Sequence, residues 1–307
     1  MNPTRDNPKR LVANASVASR IAQKAADYWT MTKPEVNFLV VITCLAGFCL
    51  GSPGHVDVRL LLNTLFGAFL VASGTATLNE YLERSYDARM RRTASRPLPA
   101  GRVRPAEGLA FGLLLSAGGG IYLDLAANRL ACLIALLTLV IYLGVYTPLK
   151  RKTPLCTVVG AFPGALPPLI GWAAARGSLS FEAWILCAIL FLWQFPHFSA
   201  IAWLYRQDYA RAGYVMLPPA DRNGRFMATQ VVGFSLLLML VSLIPALTGH
   251  AGGYYLAGAV ALGLAYLYFG ARLALSRSGA SARRVVLASV VYLPLVYVLL
   301  IANQTRA

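Results

Sequence analysis

Eight stretches of 16 or more residues in this chain contain no Asp, Glu, Lys or Arg. They cover residues 36–53, 60–79, 108–123, 130–149, 154–175, 183–205, 226–271 and 285–305. A membrane-spanning helix needs about 20 mainly apolar residues. The run 226–271 is twice that length and is interrupted by a glycine-rich turn sequence at 248–253. The sequence therefore predicts an all-α, polytopic membrane protein with nine transmembrane helices.

The distribution of charge predicts the orientation of these helices. The net charge is +16, although only 13% of the residues are charged. If the N-terminus is cytoplasmic, 24 of the 28 Lys and Arg residues fall on the cytoplasmic side. Because cytoplasmic loops of membrane proteins are enriched in Lys and Arg, we expect the N-terminus inside and the C-terminus outside. The net positive charge is then explained by cytoplasmic loops that face anionic lipid headgroups, so no nucleic-acid partner is expected.

The chain divides into a polar, basic N-terminal segment, residues 1–30, and a nine-helix membrane domain, residues 31–307. No apolar region precedes residue 36, which argues against a secretory signal peptide. The Arg and Ser content of the segment leaves a mitochondrial transit peptide as an alternative, although Asp6 and Asp27 count against it. We expect an interfacial helix on the cytoplasmic side of a bacterial inner membrane.

Three oxygen-bearing side chains, Asn79, Glu83 and Asp87, recur at intervals of four residues where the second span ends. On a helix, each such step turns the side chain by only about 40° and rises about 6 Å. The three therefore line one face, where like charges repel unless something compensates them. A magnesium ion would do so. Ion pairs with Arg84 and Arg91 are the alternative explanation.

This cluster begins a longer pattern, in which Asn79, Glu83 and Asp87 are followed by Arg92-Thr93-Ala94-Ser95-Arg96-Pro97-Leu98. The pattern resembles the first aspartate-rich motif of the intramembrane aromatic prenyltransferases, the UbiA superfamily. Other segments agree with it in order: Thr32-Lys33-Pro34-Glu35, Tyr146-Thr147-Pro148-Leu149-Lys150-Arg151, Trp193-Gln194-Phe195-Pro196-His197 and Tyr205-Arg206-Gln207-Asp208-Tyr209. The resemblance covers roughly residues 30–225 and is greatest to members that act on heme.

The resemblance implies a reaction and assigns residues to it. Asn79, Glu83 and Asp87 would hold Mg²⁺ on the diphosphate of farnesyl diphosphate, and Asp208 represents a shortened second motif, so that a single metal is expected. Four cations on the same side would neutralise the phosphates, namely Lys33, Arg96, Lys150 and Arg151. Loss of diphosphate leaves an allylic cation, for which the aromatic rings of Tyr146, Tyr81 and Tyr205 are candidate neighbours.

The acceptor implied by the resemblance is a vinyl group of heme b, which would give heme O. His197, in the sixth span, would ligate or orient the heme iron; as a lone histidine in an apolar span, its alternative role is packing. Another acceptor, such as a quinone precursor or a chlorin, is the first alternative function. A secondary transporter is disfavoured because the acids lie at one membrane face. A heme A synthase or an assembly factor of a terminal oxidase is a candidate partner.

Overall fold

The computed structural model describes residues 8–52 and 54–305, and the described residues contain helices and no strands. The α-helices are α1 (Pro8–Met31), α2 (Pro34–Gly51), α3 (Val58–Asp87), α4 (Pro105–Ala126), α5 (Arg129–Val140), α6 (Thr147–Leu149), α7 (Cys156–Ala165), α8 (Pro167–Arg176), α9 (Phe181–Leu204), α10 (Arg206–Ala212), α11 (Arg225–Leu247), α12 (Gly253–Ser276) and α13 (Gly279–Ala302). A π-helical segment, Ile141–Tyr146, joins α5 to α6. The predicted all-α class is confirmed.

Nine helical segments of the described chain are long and apolar enough to cross a membrane. They are Pro34–Gly51, Val58–Asp87, Pro105–Ala126, Arg129–Leu149, Cys156–Arg176, Phe181–Leu204, Arg225–Leu247, Gly253–Ser276 and Gly279–Ala302. The nine predicted spans are thus confirmed. The second continues as helix eight residues beyond the apolar run, to Asp87, and carries the polar cluster with it.

Two of these spans are not regular helices. The fourth passes through the π-helical segment Ile141–Tyr146, which adds a residue to the turn immediately before Thr147-Pro148. The fifth is divided at Leu166, because Pro167 begins α8. Proline lacks the N–H that an uninterrupted helix uses, and π-helical turns occur frequently at functional sites. Apolar periodicity alone predicted neither feature.

Close backbone approach and buried hydrogen bonds hold the spans together. At the contact between α2 and α8, a Cβ atom placed on Gly171 would lie 1.9 Å from the Cys44 carbonyl oxygen. The indole N–H of Trp193 on α9 donates to the Ser289 carbonyl on α13 over 2.8 Å. Between α2 and α3, the Asn37 amide donates to the Ser73 hydroxyl over 3.1 Å. These polar contacts fix the register of neighbouring helices in an otherwise apolar interior.

The connections that precede the first span and follow the second, fourth, sixth and eighth spans meet at one end of the bundle, the polar end. Arg102 pairs with Asp27 of α1 at 2.9 Å. The Val215 N–H donates to the Lys150 carbonyl over 2.7 Å. The Trp203 indole donates to the carbonyl of Arg277, between α12 and α13, over 2.8 Å. The candidate site is assembled at this end.

We expect Gly171→Ala to destabilise the protein by about 1–3 kcal/mol, because its methyl group would force α2 and α8 apart. The thermal unfolding midpoint in detergent, followed by intrinsic tryptophan fluorescence, should fall. The control is Gly118→Ala, where an added Cβ meets nothing within 4 Å. Equal midpoints for the two variants would contradict the close-packing account.

Candidate active site

Asn79, Glu83 and Asp87 form a buried row on the last turns of α3. They retain 2%, 6% and 2% of their possible exposure, respectively. The Asn79 amide donates to Glu83 Oε2 over 2.9 Å. This contact requires the two side chains to share a helix face, as the four-residue spacing predicts.

Lys150 joins this row to the end of the fourth span. Its ammonium donates to both Glu83 carboxylate oxygens over 3.0 Å and lies 3.4 Å from Asn79 Oδ1. The Thr147 hydroxyl lies 3.1 Å from the same amide oxygen and 2.9 Å from the Tyr142 carbonyl. Sequence reasoning missed Thr147, although it lies within the Tyr146–Arg151 motif. The π-helical turn next to it, which the sequence did not reveal, is what carries the chain to this position.

Asp87 is paired with Arg96 of the segment that follows α3. The Arg96 guanidinium lies 2.6 Å from Asp87 Oδ2, and the Thr93 hydroxyl donates to the Asp87 carbonyl over 2.8 Å. Buried Glu80 accepts a hydrogen bond from the Leu98 N–H over 3.1 Å, which ties the same segment back to the helix. The carboxylates of the cluster are therefore compensated from distant parts of the chain.

The alternative partners suggested by the sequence are not those the structure shows. Arg84 lies over the ring of Tyr81, with 4.6 Å between guanidinium carbon and ring centre, and donates to the Tyr81 carbonyl. Tyr81 itself packs against Met31, Leu98 and Val103 on the side of α3 that faces α1. Residues 79 and 81 point to opposite sides of a helix, so Tyr81 lies on a different face of α3 from the carboxylate row, and its contact with the reacting cation stays a prediction.

Lys33 reaches the site from the turn between α1 and α2. Its backbone has a φ of 49°, in the left-handed region that non-glycine residues rarely adopt. Burial, followed by the nearby charges of Arg96 and Lys150, lowers the pKa of Lys33 to about 8. The carboxylates of Glu83 and Asp87 act on Lys33 in the opposite direction, so this lysine lies among both the cations and the acids of the site.

Arg151 lies at the rim of the site. Its guanidinium donates to the Tyr86 hydroxyl over 2.5 Å and lies 4.7 Å from the centre of that ring. It contacts the aromatic side of the last α3 turn, whereas Lys150 contacts the carboxylate row. The two adjacent basic residues thus occupy different positions around the end of α3.

The segment that carries Asp208 packs against the same end of α3. Tyr214, which follows α10, lies 5.9 Å from Tyr86 and 6.1 Å from Tyr209, measured between ring centres. Asp208 is paired with Arg211 one turn along α10. The Tyr214 hydroxyl is buried beside the Glu83 carboxylate. Burial and the charge of Glu83 raise the pKa of Tyr214, so this hydroxyl stays protonated and can donate.

Asp221, the next acidic residue after Asp208, has a different role. Its carboxylate accepts the backbone N–H groups of Phe226 and Met227 over 2.9 and 3.0 Å, at the start of α11. Capping of free N–H groups at a helix N-terminus accounts for this residue. The second half of the chain therefore contributes Asp208 as the acid nearest the site.

Two tyrosines line the apolar side of Lys150. Its ammonium lies 4.5 Å from the ring centre of Tyr146 and 5.6 Å from that of Tyr142. A Cβ atom on Gly160 of α7 would lie 2.6 Å from the Tyr146 ring, so glycine makes room for this aromatic side chain. Tyr205 lies beside α10, beneath the Arg92 guanidinium at 5.2 Å. Tyr146 thus lies where the sequence predicts, next to the charged cluster.

The donor set fits a magnesium ion that shares its ligands with phosphate. Asn79, Glu83 and Asp87 offer hard oxygen atoms, which Mg²⁺ prefers, together with waters and substrate phosphates. Within residues 8–52 and 54–305, no group of three His, Cys, Asp or Glu side chains is placed to hold a metal by itself. One amide and two carboxylates surrounded by cations therefore suit a metal–diphosphate complex better than a metal alone.

His197 lies on α9, where it faces α13. Its ring stacks on Trp193 with 4.7 Å between centres, and its Nδ1 lies 2.6 Å from the Ser289 hydroxyl oxygen. Ser289 donates its single hydroxyl proton to the Val286 carbonyl over 2.6 Å. A hydroxyl that donates to Val286 accepts from His197, and in that arrangement Nδ1 carries the imidazole proton and Nε2 has the lone pair.

Comparison with known proteins identifies related sequences and folds. A family model described as the UbiA prenyltransferase family matches residues 40–293. The protoheme IX farnesyltransferase of Solibacter usitatus (strain Ellin6076) is 48% identical over 287 residues, which cover 91% of this chain and 98% of that protein. The protein of the same name from Koribacter versatilis (strain Ellin345) is 43% identical and covers 93% and 95% of the respective chains.

Solved structures share the fold. A digeranylgeranylglyceryl phosphate synthase matches with a TM-score of 0.75 and 18% identity, over 92% of this chain and 98% of that one. A UbiA homologue from Archaeoglobus fulgidus, bound to GPP and Mg²⁺, matches with a TM-score of 0.66 and 15% identity, over 89% and 99%.

The lowered pKa of Lys33 predicts a pH-dependent affinity for diphosphate. Its ammonium is charged below pH 8 and neutral above it, so affinity for Mg²⁺–diphosphate should fall as the pH rises from 7 to 9.5. Isothermal titration with inorganic diphosphate, comparing wild type with Lys33→Arg, cancels the protonation of the ligand itself. We expect the affinity of wild type relative to Lys33→Arg to drop about tenfold. A constant ratio would contradict the placement of Lys33.

Proposed function

This chain belongs to the UbiA prenyltransferase family, and we propose that it transfers the farnesyl group of farnesyl diphosphate to a vinyl group of heme b, giving heme O and diphosphate. Near full-length identity of 43–48% to proteins named protoheme IX farnesyltransferase supports the substrates. The observation that carries the chemistry is the buried row of Asn79, Glu83 and Asp87, each carboxylate held by a cation from another segment.

Asn79, Glu83 and Asp87 are the proposed ligands of a single Mg²⁺. Mg²⁺ bound there would neutralise the negative charge that develops on the departing diphosphate. With Mg²⁺ on these carboxylates, Lys150 and Arg96 would be free of their ion pairs with Glu83 and Asp87. Both cations would then be available to donate to phosphate oxygens and would exchange one anion for another. Each carboxylate and each cation of the site would thus keep a partner of opposite charge.

Lys33 and Arg151 complete the cationic side of the site in this proposal. Lys33 contributes a charge from the turn before α2, and Arg151 contributes one from the rim beside Tyr86. Fixed cations aimed at the leaving group stabilise the transition state more than the substrate, because charge accumulates there as the bond breaks. Asp208 is paired with Arg211 on α10, and we propose that it positions this arginine at the polar end of the bundle.

The reaction breaks the bond between C1 of the farnesyl chain and the diphosphate oxygen, and the electron pair leaves with diphosphate. The allylic cation that remains is proposed to lie against the Tyr146 ring, whose face attracts positive charge. The vinyl carbon of heme attacks this cation, and water then adds to the resulting carbocation and loses a proton. The product is the hydroxyethylfarnesyl group. Apolar helices around the reaction centre exclude other water until this step.

His197 is the proposed ligand for the heme iron. Ser289 fixes the imidazole in the tautomer that presents Nε2, and stacking on Trp193 fixes the plane of the ring. Iron-ligating histidines commonly have the other ring nitrogen hydrogen-bonded in this way. This arrangement favours heme over a quinone precursor as the acceptor.

The protein is a multi-pass membrane protein with bacterial relatives. We propose the bacterial inner membrane as its location, with the polar end and the N-terminal segment on the cytoplasmic side. The bias of Lys and Arg toward this end supports that orientation. Farnesyl diphosphate, with its charged head and apolar tail, would then enter from the cytoplasmic face.

The proposed function predicts that Asp87→Ala abolishes product formation. In membranes supplied with heme b, farnesyl diphosphate and Mg²⁺, heme O measured by chromatography should fall at least 100-fold, because a metal ligand and the partner of Arg96 are both lost. EDTA should abolish heme O formation by wild type, and Mg²⁺ should restore it. Asp124→Asn, on an exposed position at the other end of the bundle, is the control. Undiminished heme O from Asp87→Ala would exclude the metal assignment.

A second prediction concerns the iron ligand. Heme b added to the purified protein should give the absorption spectrum of a histidine-ligated iron, and His197→Ala should lose it. Ser289→Ala removes the hydrogen bond to Nδ1 that selects the tautomer of His197, and it should weaken heme binding about tenfold. His250→Ala is the control, since His250 pairs with Glu182 at the opposite end of the bundle. A wild-type spectrum from His197→Ala would show that iron is bound elsewhere.

A further inference from the structure

A groove runs between the last two helices on the outer surface of the bundle, away from the carboxylate row. This α12–α13 groove has a volume of about 360 Å³. Its lining residues are Leu262, Ala265, Tyr266, Phe269, Arg284, Leu287, Ala288, Val291 and Tyr292. Leu287 and Val291 are 67% and 57% exposed, so the groove opens sideways toward the hydrocarbon of the membrane.

The groove ends at a cationic pocket. A second cavity of about 140 Å³ is lined by Tyr268, Phe269, Arg272, Ser281 and Arg284. It shares Phe269 and Arg284 with the groove, so the two cavities adjoin. Arg272 and Arg284 are exposed, and neither makes an ion pair with any residue in the described part of the chain. Two arginines thus line a pocket that has no acidic side chain among its lining residues.

The depth of the arginines matches the membrane interface. Arg272 lies one turn before the end of α12 and Arg284 lies near the start of α13. The turn between these helices reaches the polar end, where Arg277 contacts the Trp203 indole. From Arg272 to Leu262 the groove descends ten residues, or about 15 Å toward the middle of the bundle. A ligand that follows it has an anionic head at the interface and a hydrocarbon tail below.

Tyr266 and Tyr292 form the floor of the groove. Both side chains are 2% exposed, and their rings stack with 5.3 Å between centres. Their hydroxyls belong to the bundle interior, because that of Tyr292 is hydrogen-bonded to Ser242 at 2.9 Å and that of Tyr266 lies beside buried Ser289. The floor therefore offers aromatic rings, which suit a hydrocarbon chain.

We propose that the α12–α13 groove binds an anionic membrane phospholipid. Arg272 and Arg284 hold the phosphate, and one acyl chain lies along the apolar wall between α12 and α13. An anionic headgroup supplies the negative charge that pairs with the two arginines. This site is separate from the proposed transfer of the farnesyl group, and its test does not depend on that activity.

The test uses the full chain in nanodiscs made from equal parts of phosphatidylglycerol and phosphatidylcholine. After extraction in mild detergent, native mass spectrometry counts the lipids that remain bound. Wild type should retain phosphatidylglycerol, and the variant Arg272→Gln with Arg284→Gln should retain about 30-fold less. Arg283→Gln is the matched control, because Arg283 is exposed on the same turn and lines neither cavity.

A steric variant tests the apolar part of the site independently. Ala265 is exposed in the groove, and Ala265→Phe should fill it without disturbing the core, so that phosphatidylglycerol is lost although both arginines remain. Three results would overturn the proposal: equal retention of phosphatidylcholine, retention by the double arginine variant equal to that of Arg283→Gln, or displacement of the lipid by micromolar farnesyl diphosphate. The last would identify a prenyl diphosphate as the occupant.

Discussion

Lys150 donates to both carboxylate oxygens of Glu83 over 3.0 Å, and this buried ion pair joins the end of the fourth span to the end of the second. A buried pair gains little stability over an apolar contact of the same size, because both charges give up water. Its presence here therefore needs another explanation. The pair keeps a carboxylate ionised and a lysine charged inside the bundle, where each is ready for a different partner. A metal–diphosphate complex provides a cation for Glu83 and an anion for Lys150 at once.

The rest of the fold positions this pair. Gly171 lets α2 and α8 touch through their backbones. The Asn37 amide donates to the Thr32 carbonyl over 2.7 Å and to the Ser73 hydroxyl over 3.1 Å, which holds the turn that carries Lys33 against α3. The π-helical segment places Thr147 and Lys150 opposite Asn79. Glu80 anchors the segment after α3 through the Leu98 N–H, which brings Arg96 to Asp87. Lys33, Arg96 and Lys150 thus come from three different connections, which the bundle brings together at one end.

Much of this arrangement was predictable from the sequence, for identifiable reasons. Uncharged runs set the nine spans, because a bilayer requires about 20 apolar residues per helix. The four-residue spacing put Asn79, Glu83 and Asp87 on one face. The spacing did not reveal that Glu83 pairs with Lys150, since that contact joins residues 67 positions apart. The π-helical turn and the hydrogen bonds of Thr147 depend on tertiary packing, as does the packing of Tyr81 against Met31, Leu98 and Val103. The capping role of Asp221 at the start of α11 also depends on contacts that only the structure shows.

The exchange of partners around Glu83 and Asp87 is tested most directly by a crystal structure of the full chain with Mn²⁺, in place of Mg²⁺, and a non-reactive analogue of farnesyl diphosphate. Anomalous scattering locates the manganese ion without ambiguity. The account predicts one manganese ion bonded to Asn79, Glu83 and Asp87, with Lys150 and Arg96 moved from these carboxylates onto phosphate oxygens. Manganese at Asp208 alone, or a diphosphate bound while both ion pairs stay intact, would contradict it.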